Sequence, residues 1–349
     1  CIRDRATPVY VESQMFKERA VALVADRVGG RLDYADLRLR LFPFPVLDIR
    51  DLSVNLPDEG VAAQSETLSV AIRTLPLFRG KVQLREFLLE KPQLDVSLAP
   101  TGETPPADET APPPVDPTDR AAQIIGVLKQ IAGDASLKVR NGSVALTHAD
   151  KVVDTFQEFN LTYNASPAVM TVDLTAASGI FGWFRVDLLI EPESLDMDGR
   201  IDLREAPLSK LMAQFLPPGS VAVAEGEVRL RIRFSAQQLS SVSADLNAAI
   251  PELQLLRNGR TLVLEGLDLS AEVQITPKTV KVDLGALNLA QPALSISGAA
   301  RRPADADWTV ELAARPIDIT PLRDQALVWA GDLAVVETLF DILLDCLLY

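Results

Sequence analysis

The sequence predicts a mainly β fold, a long twisted antiparallel meander carrying a few short helices. Three observations lead there. From residue 37 to residue 319 short stretches alternate apolar and polar residues, as in the rows Leu68, Val70, Ile72 and Val228, Leu230, Ile232, Phe234. Gly, Pro, Asn and Asp interrupt the alternation at intervals of about 10 residues, the spacing of strands joined by tight connections. No segment alternates long helices with strands, as a parallel α/β sheet would require. Period-two alternation gives a strand one apolar and one polar face, so the question the sequence raises is what covers so much one-sided sheet.

The elements follow in order. Residues 11–28 carry Met15, Phe16, Leu23, Val24 and Val28 at helical spacing, and Gly29-Gly30 supplies a stop past a helix C-terminus. Strands are then expected in "DLRLRLF", "LDIRDLSVNLP", "ETLSVAIRTL", "GKVQLREFLLEKP" and "QLDVSLA". Residues 99–118 hold seven prolines and four acids with no Lys or Arg, a composition that builds no core and reads as an extended linker. Ala122, Ile125, Leu128 and Ile131 predict a short helix over 119–132. Strands resume from "SLKVRNGSVALTHA" to "MDGRIDLRE", and a helix is expected over 207–216, with Pro207 at its start and Pro217-Pro218 past its end. From 220 to 319 the pattern is strand after strand, with Leu267, Leu269, Ala271, Val273 and Ile275 as its clearest row. At the C-terminus Asp332, Glu337, Asp341 and Asp345 fall opposite Trp329, Leu333, Val336, Phe340 and Leu343, an amphipathic packing helix.

Composition narrows the function classes. A chain of 349 residues, 48% hydrophobic and 23% charged, is long enough for a sizeable core. Its formal charge of −14 argues against a nucleic-acid partner and against docking on anionic lipid through a basic face. No run reaches the ~18 apolar residues of a membrane span. The cysteines, Cys1 and Cys346, stand at the two ends, leaving no disulfide framework and no thiolate metal site between them; this is compatible with a bacterial periplasm. The opening "CIRDR" and closing "CLLY" resemble translated sequencing-adapter scars. Residues 1–5 and 346–349 are therefore set aside, and the natural protein is expected to continue beyond both, with any anchor upstream of Ala6.

No chemistry-bearing constellation stands out. His148 is the single histidine and reads as a strand or turn residue. Asp196–Asp198 and Asp305–Asp307 lack the ligand-rich loop of a calcium site and read as solvated turns. The Asn-x-Ser/Thr triplets at Asn141, Asn160 and Asn164 are ordinary in a Ser/Thr-rich β chain. No nucleophile elbow or phosphate loop follows a strand. The expectation is a non-enzymatic protein with no catalytic, cofactor or metal residues.

The order of features up to residue 98 is more specific. A helix "FKERAVALVADRVGGRLDY" leads to "LRLRLFPFPVLDIRDLSVNLP", then to "AQSETLSVAIRTLPLFRGKVQLREFLLEKPQLDVSL". Phe42-Pro43, Leu75-Pro76-Leu77, Gly80 and Pro92 are the fixed points. Over residues 16–98 this resembles the N-terminal region of the AsmA family of Gram-negative envelope proteins, and "APLSKLMAQFLP" resembles its second half less specifically. The Pro-rich insertion after Gly102 departs from that pattern. The resemblance implies an AsmA-like N-terminal helix and β region over 6–98, the linker 99–118 and a continued β-meander over 119–345. It also implies a periplasmic protein held in the inner membrane by an N-terminal anchor missing from this chain. By likeness to bridge-like lipid-transfer proteins it implies a curled β-groove moving phospholipid between inner and outer membranes.

Two readings of the one-sided sheet follow. In a closed sandwich the apolar faces cover each other. In a groove, phospholipid acyl chains take the place of the second layer; ~18 strands at ~4.8 Å would extend ~85 Å. Candidate groove-lining residues are Leu68, Val70, Ile72, Val228, Leu230, Ile232, Phe234, Leu269, Val273 and Ile275. The alternative function is a scaffold or regulator of outer-membrane protein assembly and targeting, acting on envelope proteins through sheet edges. Neither needs a cofactor.

Overall fold

A computed structural model of the chain describes residues 31–40, 42, 44–56, 61–77, 83–97, 135–148, 151–166, 168–213, 222–238, 240–304, 306–314, 323 and 327–329. The helices expected over 11–28 and 119–132, and most of the C-terminal one, lie outside the described residues, as does the linker 99–118. The fold is mainly β, a mostly antiparallel meander of seventeen strands with a few short helices. It divides into two units: Cys1–Ser178 with Val186–Leu195, and Gly179–Arg185 with Asp196–Tyr349.

The first unit contains β1 (Arg31–Asp33), β2 (Asp36–Arg40), β3 (Val46–Leu56), β4 (Val61–Ile72), the one-turn helix α1 (Thr74–Leu77), β5 (Leu84–Glu90), β6 (Gln93–Ser97), β7 (Ser136–His148), β8 (Lys151–Ala165) and β9 (Met170–Ser178). Strand β10 (Gly182–Glu191) follows. Because alternation is in phase with pairing, apolar residues line up strand to strand. One row runs Leu37, Ile49, Leu68, Leu89, Val139, Leu161, Leu174, and the next Leu39, Leu47, Val70, Phe87, Leu137, Tyr163, Val172. Over β2–β7 these rows form the core of the unit, with Ile49 only 1% exposed; on β8 and β9 Tyr163 is 1% exposed while Leu161, Val172 and Leu174 are half-buried.

Two departures from a plain meander occur here, the first of them at Pro92. The expected strands "GKVQLREFLLEKP" and "QLDVSLA" act as one kinked strand. β4 pairs antiparallel with both β5 and β6 in continuous register, Thr67 with Glu90 and Gln64 with Gln93. At the kink Lys91 adopts φ 48°, and its amide donates to the Arg140 carbonyl at 2.8 Å while Ser143 donates to the Pro92 carbonyl at 2.8 Å. Those bonds carry the ladder past a proline that lacks a donor. The second departure is that β7 runs parallel to β5 and β6. A parallel neighbour requires a crossover instead of a hairpin, and residues 98–135, which include the Pro-rich stretch, supply its length.

The second unit contains β11 (Asp196–Pro207), helix α2 (Leu208–Ala213), β12 (Ala222–Gln237), β13 (Ser241–Arg257), β14 (Arg260–Thr276), β15 (Thr279–Leu289), β16 (Leu294–Pro303) and β17 (Thr309–Ala314). Every pair from β11 to β17 is antiparallel, and described strands touch chiefly their hydrogen-bonded neighbours. Helix α2 falls within the one expected over 207–216; Pro207 ends β11 instead of starting the helix, and 214–216 lie outside the described residues. It packs on β12, where Ala206, Leu208, Val228 and Leu253 form a buried cluster.

The buried Tyr163 tests the packing of the first unit. Its hydroxyl has no hydrogen-bond partner among the described residues, and burial raises its pKa. An unpaired buried hydroxyl carries a desolvation cost. Tyr163→Phe should therefore fold normally and gain about 1 kcal/mol, read as an increased urea midpoint at unchanged slope.

Candidate functional site

In the second unit the register builds one continuous apolar face. A first row runs Leu203, Leu230, Ala248, Leu269, Leu287, Ile296 across β11–β16. A second runs Ile201, Ile232, Leu246, Ala271, Leu284, Gly298, Leu312 through β17, and a third Phe234, Ala244, Val273, Val282, Ala300, Val310. The rows stay aligned because a bulge in β15 absorbs one residue: Ala271 faces Leu284 while its neighbour Ser270 faces Ala286, past Gly285. Leu284 and Leu287, three positions apart, thus share a face.

This face is covered at one end and open at the other. Val228, beneath α2, is 5% exposed. Leu230, Ile232, Phe234, Leu269 and Val273 are half-buried. Ile275, Val310 and Leu312 reach 42%, 56% and 68% exposure. The candidate lining residues of the first unit behave differently. Leu68 and Val70 are buried against Leu37, Ile49 and Phe87, and Ile72 at the strand end is half-buried. Alternation signals both cases alike; Leu68, Val70 and Val228 are buried, whereas Ile72 of the first unit and the other candidates of the second are half-buried or exposed.

The opposite face is polar and internally paired. Asp202 is buried, with the Nε atoms of Arg200 and Arg231 at 2.5 and 2.9 Å from its two oxygens. Burial pushes its carboxyl up, but the hydrogen bonds and charges of Arg200 and Arg231 outweigh that and hold it below the ordinary Asp value. Beside it a cavity of about 600 Å³ is lined by Asp202, Arg204, Arg229, Asn247, Asp268 and Asn288 of the polar rows, and also by Leu203, Leu230, Ala248 and Leu269. Arg204 stacks over the Trp183 ring, 4.7 Å from its centroid. Arginines and acids balance there, and small Ala249 and Ala286 leave the space, so the cavity is a solvated depression in a charged sheet. A further polar row, Arg233, Asp245, Glu272, Asp283, Ala299, Glu311, is mostly acidic.

The remaining sequence candidates take structural positions. His148 ends β7 opposite Lys151. Asp196 accepts the Gln238 amide at 2.9 Å and ties down the β12–β13 turn. Asp307 is exposed beside β17. Among the described residues no group of three His, Cys, Asp or Glu could hold a metal, and no helix is long and apolar enough to cross a membrane. Sequence reasoning singled out β12 and β14 but not their continuation in Leu246, Val282, Leu284, Leu287, Ile296 and Leu312. The signal was present in "VSADLNAAI" and "TVKVDLGALNL", but counting by twos fails across the Gly285 bulge. In comparisons with known proteins, no family model and no curated protein matches the chain.

The Asp202 pairing has a defined pH signature. A carboxyl lowered by folding stabilises fully above its unfolded pKa of about 3.9, and that contribution is lost as pH falls from there through the lowered folded value. Asp202→Asn should cost about 1–2 kcal/mol at neutral pH, and the gap should shrink in acid as pH falls below about 3.9. Urea midpoints measured at neutral pH and in acid check this; an equal gap at both would remove the ion pair as the cause.

Proposed function

We propose that this chain is a hydrophobic β-groove segment of an AsmA-type envelope protein, carrying phospholipid acyl chains between inner and outer membranes without enzymatic chemistry. One observation carries the reading. The aligned apolar rows of the second unit, from Leu203 to Ile296 and from Phe234 to Val310, stay half-buried or exposed over successive strands. In a closed sandwich those rows would be as buried as Ile49 and Val70 are in the first unit. An apolar surface this continuous normally has a ligand or partner. Acyl chains suit it, since each methylene removed from water is worth about 0.8 kcal/mol and no directional partner is required.

The mechanism on this reading is passive. Tails lie across the apolar rows and move between equivalent apolar positions, with no bond made or broken. Head groups stay in water. The paired Arg and Asp residues of the opposite face keep that side solvated. In the proposed setting the chain stands in the periplasm of a Gram-negative bacterium, held to the inner membrane.

Mass spectrometry of organic extracts from the purified chain should find co-purifying phospholipid. Leu230→Asp and Val273→Asp, each on the half-buried face, should sharply reduce bound lipid and fluorescent phospholipid transfer between vesicles while the far-ultraviolet β signal persists. Lipid-free protein, or transfer undiminished in the double variant, would remove the conduit reading.

A further inference from the structure

Strand β17 is exposed along its whole length: all six residues, Thr309–Ala314, lie open on both faces. It pairs with β16 on one side in unbroken register from Ile296–Ala314 to Arg301–Thr309. Among the described residues β16 is its one paired strand. Free sheet edges usually carry a lysine, a proline, a bulge or a local charge pair that discourages pairing. β17, Thr-Val-Glu-Leu-Ala-Ala, has no lysine, proline or bulge, and its one charged side chain is Glu311.

Its side chains also specify what would fit. Val310 and Leu312 end two apolar rows and need apolar neighbours. Glu311 ends the row Asp245, Glu272, Asp283, Ala299 and makes no ion pair among the described residues. A residue placed opposite Glu311 on an added strand would meet that carboxylate directly. Symmetric pairing with a second copy, Val310 against Leu312, would set Glu311 against Glu311 and is disfavoured by like charge. Gly298 keeps the strand seated: a Cβ there would run into the Glu311 carbonyl and approach the Leu312 side chain to 2.8 Å.

We propose that the free edge of β17 is a docking site for an extended segment of another polypeptide, with a Lys or Arg flanked by apolar residues. Main-chain hydrogen bonds extend the sheet, the apolar residues continue the Val310 and Leu312 rows, and the basic residue pairs with Glu311. The site uses the edge, the polar row and the β17 ends of the Val310 and Leu312 rows, and leaves the apolar face of β12–β16 free.

The test uses the full chain and two fluorescein-labelled peptides, acetyl-Ser-Val-Lys-Val-Ser-amide and its counterpart with Glu for Lys, followed by anisotropy. The Lys peptide should bind and the Glu peptide should bind about tenfold more weakly, one attraction lost and one repulsion gained. Glu311→Lys should invert that order, whereas Glu272→Lys, on the same row in an interior strand, should leave it unchanged. Leu312→Lys should weaken both peptides. Absence of binding by either peptide, or an order insensitive to Glu311→Lys, overturns the proposal. So does a stable dimer of the chain that excludes both peptides, which would assign the edge to a second copy.

Discussion

Main-chain hydrogen bonding between neighbouring strands is the constraint on which the rest of this protein depends. Each strand must pair its donors and acceptors with the next, and period-two geometry then fixes which side chains share a face. A slip of one residue would turn an apolar row to the polar side. The rows remain continuous because every irregularity is absorbed locally. Gly285 lets β15 take up an extra residue, and an irregularity between Leu203 and Ala206 keeps both aligned with Leu230 and Val228 on β12. In the first unit, the bonds from Lys91 and Ser143 carry pairing across Pro92.

That same constraint decides how much could be read without coordinates. Strand positions, the meander and the short helix after Pro207 follow from alternation and turn chemistry, which are local properties. The parallel joint at β7 does not, because nothing in "SLKVRNGSVALTHA" says which side of the sheet edge the chain returns to. The division between buried and open rows is invisible for a similar reason. Leu68, Val70 and Ile72 alternate in the same way as Leu230, Ile232 and Phe234, yet Leu68 and Val70 are buried while the latter three are half-exposed. Alternation states which side is apolar; it carries no record of what lies over that side.

The two faces of the second unit divide their labour. Asp202 with Arg200 and Arg231, and Lys281 with Asp283, satisfy charge within the polar face. On the other face α2 closes one end over Val228 and Leu253, and at the far end Ile275, Val310 and Leu312 are exposed. Function is proposed on that side because it is where burial is left incomplete.

The neighbour-to-neighbour packing of β11–β17 has an evolutionary corollary. No strand there leans on a distant one, so the stabilisation is close to a sum of adjacent pairs, as in repeat proteins. A hairpin such as β13–β14 could be duplicated or lost while its flanking strands rejoin, provided the bulges keep their phase. Length in such a molecule is then an adjustable trait, able to drift by whole hairpins while the cross-section stays the same.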